Sequence, residues 1–305
     1  MPQVLDGKQL AGAIRGEVAA GAAEVRNKTG AAPRLAAVLV GDDPASHVYV
    51  RNKVLACAEA GIESETHTLP AVATEAELLQ LLRRLNEMDT VDGILLQLPL
   101  PGHIDKVRAL DAIHPSKDVD GLHPYNAGLL VQGRAQLIAC TPLGVLEALR
   151  RYKVPMSGKH AVVVGRSDLV GKPAATLLLQ ENATVTTCHS KTQDLPGVVA
   201  GGDIVVAAMG KPAFLKPEFI REGAVVVDVG TSVLKREEDV VALFGSGSKK
   251  AEDFRAGKTV LVGDVHPAAY EKSSLYTPVP GGVGPLTIAM LLRNTVTAAR
   301  LRRLS

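Results

Sequence analysis

Short apolar runs rich in β-branched residues recur along this chain with helical stretches between them, and that alternation limits the folds open to it. The runs are Leu35–Val40 and Gly93–Leu98 in the first half. In the second half they are Ala161–Val164, Thr184–Thr187, Ile204–Ala207, Ala224–Val229 and Val260–Val262. Little polar residue interrupts them, so they suit strands covered on both faces, as in parallel sheets. Strands of this kind separated by helices predict a doubly wound α/β architecture. At 305 residues the chain has room for two such domains.

Helix boundaries are written between the strands. Pro44 and Ser46 open a helical segment that runs to about Ala60, with Gly61 as its C′ residue. Thr74 and Glu77 form a capping-box pattern ahead of Leu78, Leu79, Leu81, Leu82 and Leu85. Thr141 and Pro142 read as N-cap and N1 of a helix over Leu143–Tyr152 that links the two halves. A last helix is expected over Thr287–Leu304, where Arg300, Arg302 and Arg303 favour the helix dipole and water. One segment breaks the rhythm. Leu234–Lys258 carries a Lys-Arg-Glu-Glu-Asp run and a Gly-Ser-Gly-Ser run, which predicts a surface loop of low order without chemistry.

Charge and composition exclude several classes. Lys and Arg number 34 against 32 Asp and Glu, a net charge of +2, which gives no reason to expect a nucleic-acid or membrane partner. Aromatics are 3% with no Trp, too few for a base-stacking platform. Cys57, Cys140 and Cys188 are far apart and form no CxxC pair, so free structural thiols in a reducing compartment are expected. The histidines show no HExxH spacing, and no metal site is expected. The first residues lack the basic-then-apolar profile of a secretory signal, and no run approaches the ~20 apolar residues of a membrane span. The expected address is the cytoplasm.

The strand Ala161–Val164 runs straight into Gly165-Arg166-Ser167-Asp168-Leu169-Val170-Gly171 and then a helical stretch. Strand, glycine turn and helix N-terminus make the geometry that holds a pyrophosphate on backbone N–H groups. The spacing departs from GxGxxG: Ser167 stands in place of the second glycine, and the last comes one residue late. About 20 residues on, where an NAD site places an acidic residue for the ribose 2′-OH, the chain has His189-Ser190-Lys191 instead. Ser190, Lys191 and Arg166 offer a hydroxyl and two cations to a 2′-phosphate, with Arg166 the better direct contact through its planar fork. The cofactor expected is NADP, against the plainer possibility of a solvated turn.

The first half carries reactive side chains. Tyr49 and Lys53 are four apart, so on a helix they share a face. Gln97 interrupts an otherwise apolar strand, where an unpaired amide is costly. Both features also fit a solvated pair and a satisfied core amide. Asp118-Val119-Asp120-Gly121 fits a plain turn as well as a site.

Taken together, Tyr49–Lys53, Leu96–Pro101, Lys117–Gly121 and Pro278–Pro285 resemble the motifs of bifunctional methylenetetrahydrofolate dehydrogenase/cyclohydrolases, in the family's order. Gly165-Arg166-Ser167 and His189-Ser190 lie between them, and the likeness runs from Leu5-Asp6-Gly7 to the last helix. The resemblance implies two α/β domains, a Rossmann-like NADP-binding domain over 146–279 and a folate-binding catalytic domain over 1–145 completed by 280–305, with the active-site cleft between them. It implies NADP-dependent oxidation of 5,10-methylenetetrahydrofolate, then hydrolysis of the methenyl product to 10-formyltetrahydrofolate, by a homodimer.

Position by position, the resemblance puts the family's catalytic lysine on Lys53, its tyrosine on Tyr49, its glutamine on Gln97 and its pterin-binding aspartate on Asp120. Leu96, Leu98, Pro278, Gly281, Gly282 and Pro285 join these as substrate contacts. Gly165, Arg166, Ser167, Gly171, Ser190, Thr231 and Thr141 are its cofactor contacts. Two departures stand out: Thr231-Ser232 follow Gly230 where the family usually has Ile-Asn, and the 234–258 segment is longer than in typical members. Rival readings are an NADP-dependent dehydrogenase of a small hydroxy or amino acid, a silent NADP-binding scaffold, and a dehydrogenase without hydrolase activity.

Overall fold

The computed structural model describes residues 2–304, except the side chain of Ala45. From the N-terminus the chain runs β1 (Gln3–Val4), α1 (Gly7–Thr29), β2 (Arg34–Val40), α2 (Pro44–Glu59), β3 (Glu63–Leu69) and α3 (Glu75–Glu87). Then come β4 (Gly93–Leu96), α4 (Lys106–Asp111), α5 (Pro124–Val131), α6 (Cys140–Arg151), β5 (His160–Val164) and α7 (Gly171–Gln180). It continues through β6 (Thr184–Cys188), α8 (Leu195–Ala200), β7 (Ile204–Ala207), β8 (Val225–Asp228), β9 (Ser232–Leu234) and α9 (Glu237–Phe244). The last elements are α10 (Lys249–Arg255), β10 (Val260–Val262), β11 (Leu275–Tyr276) and α11 (Val283–Arg303). Two compact units result. One joins the residues up to Leu10 with Thr141–Leu286, and the other joins Ala11–Cys140 with the stretch from Thr287 onward. Among the described residues no helix is long and apolar enough to cross a membrane.

The second unit is built on a parallel sheet in the order β3-β2-β4. β2 and β4 are continuous apolar runs with both faces covered, and their side chains pack with Leu78, Leu82 and Leu85 of α3. β3, which no apolar run announced, is an edge strand. It pairs only with β2, and every residue of Glu-Ser-Glu-Thr-His-Thr-Leu keeps some exposure, so no apolar run marks it. The capping box at α3 forms: the Thr74 hydroxyl accepts from the Glu77 N–H at 3.3 Å, and the Glu77 carboxylate accepts from the Thr74 N–H at 2.7 Å. Lys117 closes the far end of that helix, its ammonium donating to the carbonyls of Leu85, Asn86 and Met88 at 2.7–2.9 Å.

The C-terminal arginines depart from the solvated role expected of them. Asp92, fully buried between β2 and β4, accepts from Arg303 Nε at 2.8 Å, from Arg302 at 3.3 Å and from the Arg34 N–H at 2.8 Å. Burial raises the Asp92 carboxyl above its ordinary range while the two guanidiniums pull it back. Arg302 and Arg303 thus anchor the end of α11 to the sheet.

The first unit holds a six-stranded parallel sheet in the order β1-β11-β8-β7-β5-β6. The chain leaves β5 for β6 on one side, then returns to place β7 on the other, which makes a crevice at the strand C-termini between β5 and β7. Residues 3 and 4, read from the sequence as part of the 1–145 domain, pair with Leu275 and Tyr276 in this sheet. The two-residue strands are too short to carry a hydrophobic pattern.

The 234–258 segment is not a loop of low order. β9 and β10 pair antiparallel, and α9 and α10 between them close a small core of Leu234, Val240, Ala251, Val260 and Val262, backed by Phe244 and Phe254. Ser248 caps α10 through the Ala251 N–H at 3.2 Å. Val260–Val262, expected in the doubly wound sheet, belongs to this separate pair. Thr141, expected as an N-cap, lies one residue inside α6.

Candidate active site

Asp43 caps α2, accepting from the Ser46 N–H at 2.8 Å and the Ser46 hydroxyl at 2.7 Å, with Pro44 at the first helical position. Three turns along, Lys53 reaches the C-terminal end of β4. Its ammonium donates to Gln97 Oε1 at 3.0 Å, and the Gln97 amide donates to the Leu98 carbonyl at 2.6 Å. The Gln97 N–H continues the ladder by donating to the Val38 carbonyl at 2.9 Å. The buried amide that was costly on paper is therefore satisfied through the lysine. Leu96 is buried and Leu98 half-buried beside it. Tyr49 is 51% exposed, one turn before Lys53 on the same helix.

The Asp118–Gly121 turn divides two jobs between its carboxylates. Asp118 is the structural one, accepting from the N–H groups of Leu122 and His123 at 3.1 and 2.8 Å and from the Asn126 amide at 2.9 Å. Gly121 sits at φ +73°, and a Cβ there would lie 2.2 Å from the Ile138 carbonyl carbon, so no larger residue fits. Asn294, from α11, donates to the carbonyls of Val119 and Ile138 at 2.8 Å each and fixes the turn from outside. The Cys140 thiol donates to the Val119 carbonyl at 3.2 Å. Asp120 is the other carboxylate, beside the Cys140 thiol. Burial raises its carboxyl above the ordinary range, and the positive charge of Lys53 opposes the rise. Sequence reading missed Asn294 and gave Cys140 and Lys117 no such partner, because each acts on a backbone carbonyl remote in the chain. All three cysteines are free and buried, as expected; burial pushes the Cys57 thiol up to about 12.

In the other unit, β5 ends in a turn that only glycine allows. Gly165 has φ +132°, and a Cβ there would lie 2.1 Å from the Ala208 carbonyl oxygen. A Cβ on Gly171 would come 2.2 Å from the Gly165 carbonyl oxygen. Backbone thus packs on backbone where α7 begins, and Ser167 Oγ accepts from the Val170 and Gly171 N–H groups at 3.3 and 3.4 Å. The Gly165 N–H donates to the Cys188 carbonyl at 2.9 Å, which brings this turn alongside the end of β6, where Ser190 and Lys191 are exposed. Arg166 is exposed and makes no hydrogen bond or ion pair among the described residues. Thr231 is exposed just beyond β8, at the same edge. Thr141 is half-buried in the first turn of α6.

Two acids missed by the sequence reading brace this edge. The Asp264 carboxylate accepts from the N–H groups of Met209 and Gly210 at 2.6 and 2.9 Å. Asp228 accepts from the N–H groups of Gly230, Asp264 and Val265, each at 2.9 Å, and from the Tyr270 hydroxyl at 2.7 Å. Even so, burial pushes its carboxyl up to about 6. A strand-end Asp-Val-Gly and a later Gly-Asp were the available signals.

The Pro278–Pro285 segment belongs to this unit too. The Thr277 hydroxyl accepts from the Asp228 N–H at 2.7 Å, and the Gly282 N–H donates to the Pro278 carbonyl at 2.8 Å. Gly281 sits at φ +107°. Gly282 is buried against the start of α1, where a Cβ on Gly7 would lie 1.7 Å from its carbonyl oxygen. Pro278 and Pro285 are half-buried at the two ends.

Comparison with known proteins adds the family. The model described as tetrahydrofolate dehydrogenase/cyclohydrolase, catalytic domain, matches residues 5–120, and its NAD(P)-binding domain counterpart matches residues 139–303. Bifunctional protein FolD of Koribacter versatilis is 52% identical over 300 residues, which is 98% of this chain and 97% of that protein. The bifunctional enzyme FolD-methylenetetrahydrofolate dehydrogenase/cyclohydrolase from Campylobacter jejuni is similar in structure, with a TM-score of 0.89 at 44% identity over 99% of this chain and 100% of its own. The Trypanosoma brucei dehydrogenase-cyclohydrolase (FolD), solved with NADP cofactor and an inhibitor, has a TM-score of 0.87 at 39% identity over 99% of each chain. With both halves matched in order and nearly full-length identity, the chain belongs to the tetrahydrofolate dehydrogenase/cyclohydrolase family.

Proposed function

We infer that this protein oxidises 5,10-methylenetetrahydrofolate with NADP and hydrolyses the methenyl product to 10-formyltetrahydrofolate. The observation that carries the reading is the Lys53–Gln97 hydrogen bond of 3.0 Å, made in the unit that also holds Asp120. The nucleotide turn fits a dinucleotide: backbone packed against Gly165 and Gly171 sets the N-terminus of α7 close against the end of β5, where its N–H groups can hold a pyrophosphate. Arg166 makes no hydrogen bond or ion pair among the described residues and can reach a 2′-phosphate. When bound, NADP supplies the acceptor for a hydride.

The chain's own residues orient the substrate and move protons. The first step mainly needs alignment of the donor carbon. Asp120 has two oxygens to accept a pterin ring N–H and the adjacent amino group, and Tyr49 presents an exposed ring for the aminobenzoate. Pro278, Gly281, Gly282 and Pro285, with Leu96 and Leu98, complete the substrate contacts in this reading. Ser167, Ser190, Thr231 and Thr141 complete those to the cofactor.

The second step needs a base. Lys53 Nζ, held by Gln97, is the group placed to take a proton from the water that attacks the methenyl carbon. Gln97 fixes that nitrogen in place, and Nζ returns the proton as the C–N bond breaks. The homodimer and the cytoplasmic location are part of the same reading.

The test is a spectroscopic assay of the purified protein with methylenetetrahydrofolate and either NADP or NAD. The methenyl signal should appear with NADP and then decay. Turnover of a small hydroxy or amino acid with no methenyl signal would refute the reading. Light scattering on the same sample reads the dimer.

A further inference from the structure

Lys250 lies in α10, inside the 234–258 segment. Its ammonium donates to the Leu261 carbonyl of β10 at 2.9 Å and to the Val279 carbonyl at 3.2 Å. The same nitrogen stands 4.0 Å from the centroid of the Phe244 ring in α9. One cation therefore ties α9 and α10 of the segment, and the adjoining β10, to the middle of Pro278-Val279-Pro280. We propose that Lys250 is a positioning residue for the folate substrate, holding the Val279 carbonyl and with it the Pro278–Pro285 segment.

The physical case rests on where the charge is placed. A lysine on a short surface helix normally extends into water, because desolvating an ammonium is costly. Here burial lowers the Lys250 ammonium below the usual lysine range, so the fold carries a cost at this position. The two carbonyls and the ring offset it. The small core of α9, α10, β9 and β10 already closes on Leu234, Val240, Ala251, Val260 and Val262, so it does not need the ammonium. Only the bond to Val279 reaches outside that core. Beside it lies a cavity of about 360 Å³ lined in part by Phe244, Lys250, Tyr270, Tyr276, Pro278 and Val279, so the Val279 bond borders open space on that side.

The inference rests on the proposed reading of Pro278–Pro285 as substrate contacts. Its test is steady-state kinetics of the full chain with Lys250→Met and Lys250→Arg. In Lys250→Met, KM for methylenetetrahydrofolate should rise about tenfold, equivalent to about 1.4 kcal/mol. KM for NADP and kcat should change less than about twofold, the pattern of lost uniform binding. Lys250→Arg keeps a charged donor and should recover part of the loss. Phe244→Leu removes only the ring and should raise the same KM by less. An unchanged folate KM in a folded Lys250→Met protein overturns the proposal, as does an equal rise in both KM values. A wild-type protein that turns over no folate would instead refute the functional reading, and the proposal falls with it.

Discussion

Lys53 donates to Gln97 Oε1 while Gln97 gives its own amide to the Leu98 carbonyl, so the lysine nitrogen is held by a side chain that cannot rotate without losing two bonds. Replacing Lys53 with Met removes the only amine of this pair. Hydrolysis of the methenyl compound should fall by at least about a hundredfold, the low end for losing a general base, while some hydride transfer persists. Following methenyl decay in the Lys53→Met protein checks this. Normal decay would rule Lys53 out as the proton-transfer group.

Arg166 is exposed and has no hydrogen-bond or ion-pair partner among the described residues at the edge where β5 and β6 end, so its loss should be felt by the ligand rather than by the fold. Arg166→Ala should raise KM for NADP by about ten- to a hundredfold, the worth of one or two charge-assisted bonds to a phosphate. KM for NAD should hardly move. Parallel kinetics with both cofactors decide, and equal losses would take Arg166 out of the 2′-phosphate site.

Asp92 is fully buried, and its arginine partners keep only about a sixth of their side-chain surface exposed, 17% for Arg302 and 16% for Arg303. Asp92→Asn should lower unfolding stability by about 3 kcal/mol, the low end for breaking a buried pair, because the arginines can regain some water. Urea unfolding measures the drop, with kcat expected to stay as in the wild type. An unchanged urea midpoint would show that α11 needs no such anchor.

Asp228 gives a pH signature. Its folded-state carboxyl is pushed up to about 6 from 3.8, so between those values the folded chain holds a proton that the unfolded chain has released. The sign follows: this group's contribution makes stability fall as pH rises from about 4 to about 6, by on the order of 1–3 kcal/mol. Carbon-13 NMR of labelled aspartate should find one carboxyl titrating near 6. If every aspartate titrates below 5, the idea fails.

Much of this was written locally. β2, β4, β5, β7 and β8 are legible because a strand covered on both faces has no polar phase to hide behind. Gln97 was legible because it interrupts such a strand. β3 was not, since an edge strand with one paired side keeps its polar residues. α9 and α10 were masked by charged and Gly/Ser runs, although Val240, Phe244, Ala251 and Phe254 supply an apolar side. The Arg303–Asp92 pair spans 211 positions, and no local pattern announces a partner that distant. The same holds for Asn294 and the Val119 carbonyl, 175 positions apart.

The pairing of Gln3 with Leu275 sets a timetable for synthesis. As the polypeptide leaves the ribosome, its first strand emerges with no neighbour and must wait until almost the whole chain has been translated. The three-stranded sheet, whose strands all precede residue 97, has its pairing partners long before that. Contacts of such wide separation are slow to form. Losing Gln3 and Val4 should therefore harm the nucleotide-binding half, whose sheet they join through Leu275 and Tyr276.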